Sequence, residues 1–235
     1  PEIEVEYRET AYPKSILDKA HEELREFRIQ ADREGEQIVM NTAYGGGEGY
    51  IDITIHEMHP ALEKFLLESR YSDCFRVEVT GGEPLLQAEF VEEFFARLHE
   101  HGVHTALDTS GVGNLSKAEK VLAHTDLVLC DLKFLTKADY LKNCRADFDQ
   151  IERFLQLTAM KNVPLWIRHV VVPGLTDGMD HLRRVKAKAE SYPNFEKLEF
   201  LPFHKLCMEK YERLGLEFPL KDTPAMNPDA LKTMV

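Results

Sequence analysis

From Cys74 to Phe203, short apolar runs alternate with helix-patterned stretches at regular spacing, and this alternation limits the fold more than any other property of the chain. The apolar runs cover 75–80, 103–108, 127–133, 165–172 and 197–203. Between them, apolar residues recur at helical spacing over 88–101, 116–124, 137–160 and 179–191. Gly102 and Pro164 stand where a helix stops before the next strand. A strand that returns through a helix to a parallel neighbour forms a right-handed unit. Repeating the unit gives a parallel sheet with helical cover. The expected class is therefore α/β, a full or partial parallel barrel.

Before Cys74 the pattern is looser. Residues 15–35 read as an amphipathic helix, with Ile16, Leu17, Ala20, Leu24, Phe27 and Ile29 on one stripe and Gly35 as its stop. Residues 38–44 read as a strand running into a loop at 45–49. Residues 51–55 fit either a short strand or the entry to a helix over 56–69, with Pro60 in its first turn. Beyond Leu214 the prolines predict a surface loop, then a last helix near 229–234. No low-complexity linker divides the chain. The expectation is a helical extension over 1–37 and one barrel domain over 38–235.

Charge narrows the partners. There are 29 basic and 41 acidic residues, a net charge of −12. Nucleic acid is not the expected partner, since phosphate binding needs clustered Lys and Arg. No apolar run approaches the roughly 20 residues that span a bilayer, and the first residues lack the pattern of a secretory signal. A cytoplasmic monomer is expected. The cysteines, Cys74, Cys130, Cys144 and Cys207, show no metal-ligand spacing. Cys74 and Cys130 lie in or beside apolar runs and read as buried, reduced thiols.

In parallel α/β sheets the ligand sits at the C-terminal strand ends. The first regular strand ends in Thr80-Gly81-Gly82-Glu83-Pro84, where two glycines permit close backbone approach and Glu83 offers a carboxylate. The next ends in Asp108-Thr109-Ser110-Gly111, then come Asp131 and Lys133, then Arg168, and last His204. Each has a plainer use. Asp108–Gly111 suits a helix-capping turn, and Asp131 with Lys133 suits an ordinary ion pair. Arg168 suits a structural ion pair as well as an anion, and His204 suits a structural histidine. Their joint placement favours a binding mouth. Carboxylates and glycine backbone suit a zwitterion, Lys133 and Arg168 suit anionic groups, and Asp108 with Asp131 could hold a cation.

Five stretches carry a family resemblance: 80–90, 102–111, 125–133, 166–174 and 198–204. In order and spacing they resemble the radical S-adenosylmethionine (SAM) enzymes that activate glycyl-radical enzymes. The resemblance implies a partial parallel (β/α)6 barrel of radical SAM type, here with an altered N-terminal segment. It implies that Gly81, Gly82 and Glu83 hold the methionine amine of SAM, and that Lys133, Arg168 and His204 line the SAM-facing wall. It also implies a monovalent-cation site at Asp108, Thr109, Asp131 and the Leu129 carbonyl. The family cleaves SAM reductively with a 4Fe-4S cluster, and the partner is a glycyl-radical enzyme such as pyruvate formate-lyase.

The chain departs from that family at one place. The family holds its cluster with C-x-x-x-C-x-x-C after the first barrel strand. Matching that strand to 38–44 puts Gly45–Gly49 in the loop's position, and no cysteine precedes Cys74. The chain therefore offers no iron-sulfur ligands and no catalytic residue of its own. Two other readings follow from the same residues. One is a non-enzymatic module that binds SAM or the partner. The other is a barrel lyase using Lys133 as a Schiff-base nucleophile, which the neighbouring carboxylate of Asp131 opposes by stabilising the protonated amine.

Overall fold

A computed structural model describes residues 12–44 and 49–234. Seven strands form one sheet, β1 (Met40–Tyr44), β2 (Ile51–Ile55), β3 (Phe75–Val79), β4 (His104–Thr109), β5 (Leu127–Asp131), β6 (Leu165–Val171) and β7 (Phe195–Pro202). Their order in the sheet is their order in the chain. From β2 to β7 every pairing is parallel. The expected six parallel strands are present as an open, partial barrel.

The helices are α1 (Lys14–Glu34), α2 (Pro60–Glu68), α3 (Ala88–Glu100), α4 (Leu115–Leu122), α5 (Lys137–Cys144), α6 (Phe148–Met160), α7 (Met179–Ala189), α8 (Met208–Arg213) and α9 (Pro228–Met234). Alternation along each strand sorts the residues by face. Ile51, Ile53, Ile55, Phe75, Val77 and Val79 join the main core beneath the helices. The alternate residues Asp52, Arg76 and Glu78 face the other, concave side. Among the described residues that side has a small apolar patch of its own, Ala106, Leu127 and Leu129 with Trp166 packed against it. Leu17, Ala20 and Leu24 of α1 belong to the main core, so this helix packs with the barrel. Residues 1–11 of the expected extension lie outside the described residues.

The first strand needs correcting. β1 pairs antiparallel with β2, Met40 opposite Ile55 and Tyr44 opposite Ile51. The strand that opens the parallel sheet is thus β2, the segment left open between strand and helix entry. The connection through 45–48 lies outside the described residues. Its anchors sit at the N-terminal end of the parallel strands, away from the strand-end mouth. The loop that does follow the first parallel strand is His56-Glu57-Met58-His59. The helix expected from 56 begins only at Pro60, where the His59 ring accepts a hydrogen bond from the Ala61 N–H at 3.2 Å.

Side-chain capping sets the starts of α4, α5 and α6. Asn114 Oδ1 accepts from Lys117 N at 3.1 Å at the head of α4, and Asp147 Oδ1 accepts from Asp149 N at 3.0 Å at the head of α6. Replacing Asn114 by alanine leaves a first-turn N–H without its acceptor and is expected to cost about 1 kcal/mol, read by urea denaturation. On the helix-covered face of β6, His169 donates from Nδ1 to the Leu132 carbonyl at 2.6 Å, its ring 5.2 Å from that of His181 on α7. Burial pushes its pKa down to about 4, so the imidazole is neutral. No helix among the described residues is long and apolar enough to cross a membrane.

Candidate functional site

The turn after β3 is built around two glycines with positive φ, +92° at Gly81 and +57° at Gly82. A side chain on Gly81 would also meet the His56 carbonyl oxygen at 3.1 Å. The residue must therefore be small as well as left-handed. Glu83 follows and is held from every side. Its Oε1 accepts from Leu85 N at 3.1 Å and from the Thr109 hydroxyl. Its Oε2 accepts from Ser110 N at 2.9 Å and from the Ser110 hydroxyl. A carboxylate has about four acceptor positions, and all are used. Glu83 here ties the β3 turn to the end of β4, so a ligand ammonium would have to share or displace one of these donors.

Thr80 starts a second network. Its hydroxyl donates to Asp108 Oδ2 at 2.7 Å. Arg168 donates from Nη2 to Asp108 Oδ1 and from Nε to Asp131 Oδ1 at 3.2 Å. Lys133 Nζ lies 3.7 Å from Asp131 Oδ2. The pairing is dictated by register, since Asp131 and Arg168 are direct neighbours across β5 and β6. Burial works against the Arg168 charge, but the two aspartates outweigh it and hold the guanidinium firmly protonated. The two carboxylates expected to hold a monovalent cation, with Thr109 and the Leu129 carbonyl, thus have a guanidinium between them, and Thr109 is turned to Glu83. Of the two uses open to Arg168, the structure shows the ion pair.

The structure brings together Thr80, Gly81, Glu83, Thr109, Asp108, Asp131, Lys133 and Arg168. It does not bring His204 to them. That residue is exposed past the end of β7, its ring accepting weakly from Leu206 N at 3.4 Å. Beside the glycine turn, a cavity of about 380 Å³ opens between the loop after β2 and α3, bordered by His56, Met58, Gly81, Gln87 and Phe90.

Sequence reasoning missed the floor of the mouth. Arg76 makes a two-pronged contact to Asp52, with Nε to Oδ1 at 2.6 Å and Nη2 to Oδ2 at 3.1 Å. Its guanidinium also lies over the rings of Tyr50 and Trp166. One turn of the pleat higher is Glu78. Burial, then the nearby Asp108 carboxylate, push its pKa up to about 7. The available signal was alternation: Arg76 and Glu78 are charges inside an otherwise apolar strand, on the face away from the helices.

A mouth of this kind, at the C-terminal ends of a partial parallel barrel, has relatives. The chain belongs to the radical SAM superfamily, whose family model matches residues 62–185. Within it the similarity is to activating enzymes. It is 38% identical over 189 residues to the pyruvate formate-lyase-activating enzyme of Staphylococcus aureus strain USA300, covering 77% of this chain and 74% of that one, and strain MRSA252 gives the same figures. A domain of pyruvate-formate lyase-activating enzyme from Bacteroides vulgatus shares the fold, with a TM-score of 0.54 and 21% identity over 67% of this chain and 89% of that one.

The superfamily implies SAM and a 4Fe-4S cluster. The donor set of this chain does not fit the cluster. Cys74 precedes β3, at the end of the sheet opposite the mouth, and Cys130 points from β5 into the helix-covered core. Cys144 ends α5 and Cys207 precedes α8. Burial raises the Cys74 pKa to about 11 and holds the Cys130 thiol well above its ordinary value, which favours thiols over the thiolates iron requires. Among the described residues no three His, Cys, Asp or Glu side chains are placed to hold a metal ion. The residues outside them, 1–11, 45–48 and 235, contain no cysteine.

Proposed function

We propose that this chain is a SAM-binding scaffold of the activating-enzyme type. Its parent activity is generation of a glycyl radical on an enzyme such as pyruvate formate-lyase, by reductive cleavage of SAM. In the form given, the chain does not carry out that reaction, because it supplies no thiolates to hold a cluster. One observation carries the binding half of this reading. The carboxylate that follows the glycine turn at 81–82 is braced by three hydrogen bonds against the end of β4 and by a fourth from Leu85 N, so the turn has a fixed shape.

Within this reading, Gly81 and Gly82 present backbone to the methionyl end of SAM, and Glu83 accepts from its ammonium by giving up a hydroxyl donor from Thr109 or Ser110. Lys133 stands at the rim, where its ammonium suits the ligand carboxylate. Arg168 orients Asp108 and Asp131, and His204 would join only by moving in from solvent.

Two measurements test the proposal. Calorimetric titration with SAM is expected to show saturable binding that Glu83→Ala abolishes; no heat with the unmodified chain removes the SAM reading. Anaerobic incubation with iron and sulfide, followed by desalting, is expected to leave no stable visible thiolate-to-iron absorption and less than one iron per chain, roughly. A stoichiometric cluster would remove the claim that the chain is inactive as given.

A further inference from the structure

Among the described residues, the concave face holds a carboxyl with no hydrogen-bond or ion-pair partner. Glu78 lies two residues before Thr80 on the same face of β3, about 7 Å lower along the strand. Its neighbours across the sheet are Thr54 on β2 and Ala106 on β4. Neither carries a charge. The nearest cations are engaged elsewhere, Arg76 by Asp52 and Arg168 by Asp108 and Asp131. Among the described residues no hydrogen bond or ion pair reaches Glu78. It is a half-buried acid with Asp52 on one side and Asp108 on the other.

Such a carboxyl feels Arg168 and Arg76 only at a distance, pairs with neither, and has no donors of its own among the described residues. A sulfonium matches both conditions. It carries a fixed positive charge and has no N–H or O–H to donate. A carboxylate among ordered donors would gain little from it, whereas a carboxylate with none gains its whole counter-charge.

We propose that Glu78 is the charge-recognition residue of the SAM site, its carboxylate facing the sulfonium and selecting SAM over the uncharged thioether S-adenosylhomocysteine. This rests on the SAM-binding reading above. The two ligands share the adenosine and the amino acid, so a site built only from the glycine turn, Glu83 and Lys133 would treat them alike. Glu78 adds the term that separates them. Burial and the Asp108 carboxylate disfavour its charge, and an arriving cation offsets that penalty.

The test is calorimetry at pH 7.5, roughly one half unit above the Glu78 midpoint, with SAM and S-adenosylhomocysteine against the unmodified chain and Glu78→Gln. The unmodified chain is expected to prefer SAM by about tenfold or more. Glu78→Gln should bring the ratio to within about twofold by weakening SAM alone, with the affinity for the thioether unchanged. A ratio that survives the substitution, or an equal loss for both ligands, overturns the proposal. Failure of the unmodified chain to bind either ligand would instead overturn the SAM site itself. A thermal melt of Glu78→Gln confirms that the variant compared is folded.

Discussion

Replacing Arg168 by methionine is expected to cost about 3 to 5 kcal/mol of stability at pH 8, the largest single effect available at the mouth. Methionine keeps most of the volume, so the loss is electrostatic and not a packing defect. The guanidinium lies between Asp108 and Asp131, both largely buried. Without it those carboxylates face each other and Glu78, and Thr80 is the one remaining donor to Asp108. Removing one partner of a buried pair costs far more than the pair contributes, because the other charge is left desolvated. Urea denaturation of the variant beside the unmodified chain reads it. A loss under about 1 kcal/mol at pH 8 would show that water replaces the guanidinium at no cost.

Glu78→Gln is expected to act in the opposite direction. Its carboxyl titrates near 7 in the folded chain against an ordinary value of 4.5. Between those values the folded state holds the extra proton. The Glu78 contribution is thus fully present below about pH 4.5 and lost as pH rises through 7. Above 7 the folded chain carries a buried charge that it disfavours. Glutamine removes that charge, so the variant should gain about 2 to 3 kcal/mol at pH 8 and nothing near pH 4. Paired melts at the two pH values measure it. A variant no more stable than the unmodified chain at pH 8 would mean that Glu78 already has its counter-charge in the empty site. Stability gained at a site that then binds its ligand less well is the usual mark of a functional residue.

Much of this was legible in the residues. The strands from 75 onward showed as apolar runs because a sheet covered by helices needs them, and the ends of β3, β4, β5 and β6 do meet at one mouth. The hairpin was misread for want of one piece of arithmetic. Tyr44 and Ile51 are separated by a connection too short for the dozen or more residues of a parallel crossover, so the two strands could only pair antiparallel. Taking Gly45–Gly49 for the loop at the mouth followed from that slip. The roles of Glu83 and Arg168 were not legible, because they depend on which donors reach them across strands. His204 was placed by its strand end and by family position, and it is exposed past β7 with Leu206 N as its partner. The six-residue α8 escaped because so short a helix leaves no periodic pattern.

The match between strand order and chain order also bears on how the mouth is assembled in time. The Glu83 brace spans 27 residues to Ser110 and needs only the β3–β4 unit. The Asp108–Arg168 contact spans 60 residues and closes only when β6 has docked. Closing the shorter loop costs less entropy, so the glycine turn should acquire its native shape early and the ion-pair network late. A late contact is weakly formed in the transition state. Its removal should then appear mainly as faster unfolding, with the refolding rate almost unchanged.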